Sequence, residues 1–305
     1  MFYKQKNKIQ RWWFDHCIRG ALDTPPVRLD ADIAAPVVLS QLQHKDVLMY
    51  LAAVKSFAFH LMPGEVHVVD DGSLTADDVA LLKAHIPGIQ FHALSDYRVA
   101  GLPKGGTWER LIAIARLSQT RYVTQLDADT LTLDQVSEVS EAVRQNRSFT
   151  IGTWDAQTIE PVIERAHFAQ RLLDKSKPHV QLLAEANFDR FENAENLKYV
   201  RGCSGFTGFA RSEGKIELMR SLSGQMQGLV GERWLEWGSE QVMSNLVIAN
   251  QPGAIVLPHP DYADCEKMRP GTTRFVHFIG TCRFRDGRYR RLVNRVAQNI
   301  NRTSL

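Results

Sequence analysis

Between Pro36 and Gly152 the sequence alternates short apolar runs with longer stretches of helical period, and this alternation restricts the fold more than any other property of the chain. Pro36-Val-Val-Leu-Ser40, Glu65-Val-His-Val-Val69, Gln90-Phe-His-Ala-Leu94, Arg121 to Leu126 and Ser148-Phe-Thr-Ile-Gly152 read as strands. Val47, Leu48, Leu51, Val54, Ala58 and Leu61 mark one helix face after the first strand. Further helices are expected over 76–85, with Thr75 as N-cap, over 107–119, and near 133–144. Repeated βα units of this length predict an α/β fold whose mainly parallel central sheet carries helices on both faces. Ligands then belong at the carboxyl ends of the strands.

Two acidic clusters fall at such ends. Asp70-Asp71-Gly72-Ser73 follows the second strand, and Asp127-Ala128-Asp129 follows the strand at 121–126. A carboxylate at the first can accept from a ribose hydroxyl or a uracil N–H, with Gly72 permitting the tight turn. Asp127 and Asp129 offer hard oxygen ligands to magnesium or manganese, ions that usually complete their shells with phosphate oxygens and water. Each cluster has a plain alternative, an Asx turn for one and a turn with a helix cap for the other. A haloacid dehalogenase-type phosphatase also places Asp-x-Asp after a strand. It wants Thr or Val two residues after the second Asp, where this chain has Leu131.

The second half is less regular: a polar helical stretch over 158–197, a Gly-rich strand over 201–209, helices near 213–224 and 239–250, and strands at 254–257 and 274–278. In Arg274-Phe-Val-His277-Phe-Ile-Gly280-Thr-Cys-Arg283, a strand-end imidazole suits manganese. Gly280 lets backbone approach a phosphate, and Arg283 offers it a forked donor. A lone strand histidine is otherwise structural. Ser239 is a reasonable cap for a helix in which Val242, Leu246 and Ala249 form the core stripe. Gln241 and Asn245 share another face, suited to a cleft, and Glu240 complements the helix dipole. Lys104 and Arg110 precede the strand at 121–126, and solvent exposure is a sufficient account of Lys104.

These pieces together resemble the nucleotide-sugar glycosyltransferases of the Rossmann-like GT-A fold, especially the retaining family-8 type, over roughly Pro36 to Arg283. The resemblance implies that Asp127, Asp129 and His277 hold one manganese (or magnesium) and that the metal and Arg283 hold a UDP-sugar, with Asp70, Asp71, Arg110, Asp127, Gly280 and Arg283 on the donor. The family's His-Phe-x-Gly-x-x-Lys motif is similar to His277 through Arg283, with Arg for Lys. Its Asn-Ser-Gly strand is similar to Cys203-Ser204-Gly205, with Cys for the sugar-contacting Asn. Its Asp-Gln-Asp-x-x-Asn motif is similar to Glu240 through Asn245, with Val242 where the second Asp contacts the donor sugar. Retention implies Gln241 beneath the anomeric carbon. The alternatives are inversion with Glu240 as general base, a sugar-phosphate nucleotidyltransferase, and a non-catalytic nucleotide-sugar-binding protein. The acceptor is expected to be a saccharide, lipid-linked or protein hydroxyl.

The chain of 305 residues divides on this reading into a basic aromatic leader (1–35), a nucleotide-binding half (36–153), an acceptor-side half completing the metal site (154–283) and a basic C-terminal helix (284–305). That helix carries an apolar stripe of Tyr289, Leu292, Val293, Val296, Ala297 and Ile300, while Ile9, Trp12, Trp13 and Cys17 fall at helical spacing in the leader. Residues 1–20 carry five Lys or Arg and one Asp, and residues 283–305 seven Arg and one Asp, so ends of +4 and +6 flank a body of −7 in a chain of net +3. An acidic body with basic ends excludes a nucleic-acid-binding domain. The ends suit peripheral contact with an anionic membrane, or simply a solvated surface. No apolar run approaches the roughly 18 residues that cross a bilayer. Cys17, Cys203, Cys265 and Cys282 lie far apart without paired spacing, which suggests reduced thiols in the cytoplasm, while the basic ends suit a place at the inner face of a membrane.

Overall fold

Val37 and Leu39 enter one hydrophobic cluster and Val38 and Leu42 another, so the first strand is buried on both faces. The computed structural model describes residues 2–173 and 177–303. Its strands are β1 (Val37–Leu42), β2 (Glu65–Asp70), β3 (Gln90–Ala93), β4 (Val123–Leu126), β5 (Thr130–Thr132), β6 (Phe149–Gly152), β7 (Glu160–Pro161), β8 (Lys198–Tyr199), β9 (Gly202–Phe209), β10 (Ile255–Leu257), β11 (Tyr262–Asp264) and β12 (Phe275–His277). Its helices are α1 (Phe2–Cys17), α2 (Val47–His60), α3 (Ala76–His85), α4 (Trp108–Leu117), α5 (Ser137–Arg144), α6 (Val162–Leu172), α7 (Val180–Glu185), α8 (Lys215–Val230), α9 (Ser239–Ala249) and α10 (Arg288–Thr303).

The central sheet runs β10-β6-β9-β4-β1-β2-β3. Only β9 is antiparallel to its neighbours, so the sheet is mainly parallel as expected. Side chains of α4, α8 and α9 build the core on one face, and those of α2, α3 and α5 the core on the other. Alternation along each strand feeds both cores. Thr75 caps α3 as predicted, its hydroxyl accepting from the Asp78 amide while the Asp78 carboxylate accepts from the Thr75 amide.

The run at 274–278 forms a strand as expected, and it lies outside the central sheet. It supplies β12, the middle of a small sheet ordered β11-β12-β5, and β5 had no sequence signal because three residues are too few to show a period. The stretch 158–197 is α6 and α7 with the β7–β8 ribbon, not one helix, and its residues 174–176 lie outside those described. Ser239 is not the cap of α9: Gly238 occupies that position at φ 104°, and the Ser239 hydroxyl accepts from the Trp108 indole at 2.9 Å. Among the described side chains of α1, residues 9–17, only Phe14 is buried, and Ile9, Trp12 and Trp13 are exposed. The α10 stripe behaves as expected, with Tyr289, Val293, Val296, Ala297 and Ile300 buried. Cys265 and Cys282 form a disulfide with Cα atoms 6.3 Å apart, because the segments after β11 and β12 meet beside the small sheet. Cys17 and Cys203 are free. The cysteines therefore do not argue for a reducing compartment. Among the described residues no helix is long and apolar enough to cross a membrane.

Candidate active site

The chain turns out of the central sheet at Asp127 and into the small sheet at Thr130. The Asp127 amide donates to the Gly205 carbonyl at 2.9 Å, and the Thr130 hydroxyl donates back to the Asp127 carbonyl at 2.8 Å. β5 then pairs antiparallel with β12, placing Thr130 opposite His277, and the Phe278 amide donates to the Asp129 carbonyl at 2.8 Å. These backbone bonds bring together side chains that are about 150 residues apart in sequence. His277 Nε2 lies 3.2 Å from Asp129 Oδ1 and 3.9 Å from Asp127 Oδ2. Ligand atoms of all three residues fall within 4.8 Å of one another. Two carboxylates and one imidazole at this spacing are a donor set that fits magnesium or manganese.

Two arginines frame the cluster. Arg283 pairs through Nη2 with Asp129 Oδ2. Arg110, buried on α4, donates to Asp127 Oδ1 at 2.6 Å and to the two oxygens of Glu240 at 3.2 and 3.3 Å. Glu240 also accepts from the Thr107 hydroxyl at 2.9 Å. Burial pushes the Asp129 carboxyl up, but His277 and Arg283 outweigh it and bring the pKa down to about 2. Burial alone would lower His277, and Cys203 and Asp129 beside it reverse the direction. Glu240 is raised because burial exceeds what Arg110 and Thr107 return. Arg110 stays charged, with Asp127 and Glu240 offsetting its burial.

The cluster opens into a cavity of about 550 Å³, within the range of small-molecule sites. Arg110, Asp127, Asp129, Glu240, Gln241, His277, Gly280 and Arg283 all line it. Gly280 has φ 51° and open space where a side chain would sit, so its backbone faces the cavity. Gln241 contacts the Ser204 hydroxyl at 3.4 Å and the Gln181 amide at 3.5 Å. Asp70 and Asp71 are not among the lining residues. Their carboxylates close the turn, accepting from the Gly72 and Ser73 amides at 2.8 and 3.0 Å. Lys104 is exposed and also outside the lining. Asn245 does not share the cleft with Gln241. It is buried and donates to the Gly202 carbonyl at 3.0 Å, bracing β9.

Sequence reasoning passed over Thr107, His179 and Trp237, which also line the cavity. Trp237 alone carried a signal, a large aromatic just before the helix-opening Gly238. Cys203 sits with Sγ 3.1 Å from His277 Nδ1, behind the imidazole, a proximity its sequence position does not show.

No protein-family model matches this sequence, and no curated protein matches it either. Solved structures do. An active-site Gln-to-Glu mutant of LgtC matches with a TM-score of 0.53 at 11% identity, over 86% of this chain and 95% of that one. The galactosyltransferase LgtC in complex with donor and acceptor sugar analogs matches with a TM-score of 0.52, again at 11% identity and over 86% and 95%. The chain has the GT-A fold. The apo structure of the bifunctional glycosyltransferase WbbM matches with a TM-score of 0.52 at 11% identity over 89% of this chain, which spans about half (53%) of WbbM. At such identities the likeness establishes the GT-A fold, and function has to be argued from the site.

Proposed function

We propose that this chain is a metal-dependent glycosyltransferase that moves a sugar from a UDP-sugar to a hydroxyl acceptor with retention of configuration. The observation that carries the reading is the meeting of Asp127, Asp129 and His277 at the carboxyl edge of a GT-A sheet, beside Arg283 and inside one cavity.

Asp127, Asp129 and His277 would hold the cation, and Mn2+ or Mg2+ bound there supplies Lewis-acid neutralisation of the diphosphate leaving group. Arg283 is placed to share its forked donor with phosphate oxygens, and the exposed backbone at Gly280 allows their close approach. Arg110 is immobilised between Asp127 and Glu240, so the wall it forms needs little reorganisation when donor enters. The Gln241 amide borders the same space, and a protein of this fold, LgtC, has a glutamine in its active site. In the retaining step the bond from the anomeric carbon to the phosphate oxygen breaks as the acceptor oxygen bonds on the same face. The acceptor proton passes to the departing phosphate, and the Gln241 carbonyl dipole stabilises the cationic sugar.

One observation favours a second reading. Glu240 lines the cavity and burial raises its pKa, as a general base requires, which would give inversion. Against it, Arg110 and Thr107 already occupy the Glu240 carboxylate. A thermal-shift panel of UDP- and GDP-sugars with and without Mn2+ tests donor binding, and NMR of the product's anomeric centre decides between the mechanisms. No shift with any nucleotide sugar would remove the transferase reading, and an inverted product would remove the role of Gln241.

A further inference from the structure

Among the described side chains of α1, residues 9–17, only Phe14 is buried. Phe14 packs on Tyr289 of α10 with ring centroids 4.8 Å apart, and Ile18 is wholly buried in the same cluster. Three large apolar side chains of the same stretch face outward: Ile9 is 67% exposed, Trp12 65% and Trp13 52%. Three such side chains within five positions of one helix make a contiguous exposed patch, and a patch of that kind marks an interaction surface. Trp12 and Trp13 each lie near His16, so the rings form one aromatic group.

α10 lies beside it with its stripe buried and its arginines outward. Arg291, Arg295 and Arg302 are exposed, and the Arg290 guanidinium sits 5.7 Å over the Trp13 ring. That contact joins the aromatic face of α1 to the basic face of α10. The two terminal segments carry +4 and +6 against a body of −7, so the charge is concentrated where the aromatics are exposed. The surface also borders the cavity. Arg11 of α1 binds the Lys45 carbonyl and donates to Asp46 Oδ1 at 3.0 Å, and Lys45 and Asp46 line the cavity. Arg283, another lining residue, leads into α10.

We propose that α1 and α10 together form a membrane-docking surface for an anionic phospholipid layer. Trp12, Trp13 and Ile9 enter the interface, where amphipathic indoles are favoured, and the α10 arginines meet the headgroups. The charge complementarity selects a lipid surface over a second copy of this chain, whose own basic ends would repel it. On the transferase reading, which this step alone requires, an acceptor carried by a lipid lies beside the cavity rim.

Co-sedimentation of the full chain with vesicles of phosphatidylcholine, alone or mixed with phosphatidylglycerol, tests the surface without metal or nucleotide. Failure there would leave the transferase reading untouched. Binding is expected only to the anionic vesicles and to weaken with salt. Trp12→Ala with Trp13→Ala is expected to weaken it about tenfold or more, and Arg295→Gln and Arg302→Gln about fivefold each. Ile9→Ser, outside the ring stack, provides a second apolar variant if the tryptophan pair lowers the melting temperature. Equal affinity for neutral vesicles, no binding, or variants that bind like the wild type would each overturn the proposal. So would concentration-dependent dimers in sedimentation velocity that Trp12→Ala abolishes, an outcome assigning the patch to a second copy.

Discussion

Gly205 lies directly under the His277 imidazole: a Cβ at position 205 would fall 2.1 Å from Cε1 and 2.4 Å from Nδ1. The backbone of β9 thus sets where that ring rests, while β12 sets its height. Gly205→Ala must displace the imidazole from the two carboxylates, because the obstructing atoms belong to a ring walled in by Asp129 and Cys203. We expect Mn2+ affinity, read by the free-ion EPR signal, to fall at least about tenfold, with a stability loss of about 1–3 kcal/mol from overpacking. Unchanged affinity would show that His277 is not a ligand.

Arg110 holds two carboxylates at once, one of them deeply buried. Arg110→Met leaves Glu240 without its cation and should cost about 3 kcal/mol near neutral pH, measured by urea unfolding. Glu240 already has a raised pKa, so the native state binds a proton more readily than the unfolded chain. Stability from this group is therefore present at low pH and lost as pH rises above the ordinary carboxyl range. The deficit of the variant relative to wild type should shrink from neutral pH toward about pH 5, and Glu240→Gln added to Arg110→Met should recover part of it at neutral pH.

Lys55 is buried beneath the leader, donating to the Thr24 carbonyl and hydroxyl at 2.9 and 2.8 Å and to the Pro25 carbonyl at 2.8 Å. Burial brings its pKa down from 10.5 to about 8. Between those values the unfolded chain binds more protons than the folded one, so stability contributed by this group rises with pH across that window. Urea midpoints of the wild type from about pH 8 to about pH 10 should climb relative to those of Lys55→Met. Parallel curves would place the titration elsewhere.

Gln241 borders the cavity without being tied into a salt bridge, unlike Glu240. Gln241→Ala is expected to lower kcat by about a hundredfold while leaving donor affinity within about twofold, as loss of transition-state stabilisation requires. An equal loss in donor affinity would make it a binding residue instead.

The central sheet was legible because β1, β2, β4 and β6 are buried runs between helices, while β3, at the sheet edge, is not buried. The small sheet was not. β5 and β11 have three residues each, too few to show a period, and the pairing of β5 with β12 depends on contacts made about 150 residues away. The candidate metal cluster was legible from residue types, since Asp127, Asp129 and His277 each end or follow a strand. Its surroundings were not: nothing in the string shows that Arg110 would bridge Asp127 to Glu240, or that Asn245 would turn from the cleft to brace Gly202. Asp70 and Asp71 show the converse. Their strand-end position matched a ligand site, yet short-range bonds to Gly72 and Ser73 use them locally.

Ligand-linked melting of the wild type and of Asp129→Asn, with UDP and Mn2+ separately and together, tests the central claim most directly. The melting temperature should rise for the wild type only when both are present, by mass action, and should not move for Asp129→Asn. A rise with UDP alone, or an equal rise in Asp129→Asn, would contradict a nucleotide diphosphate held through a metal on Asp127, Asp129 and His277.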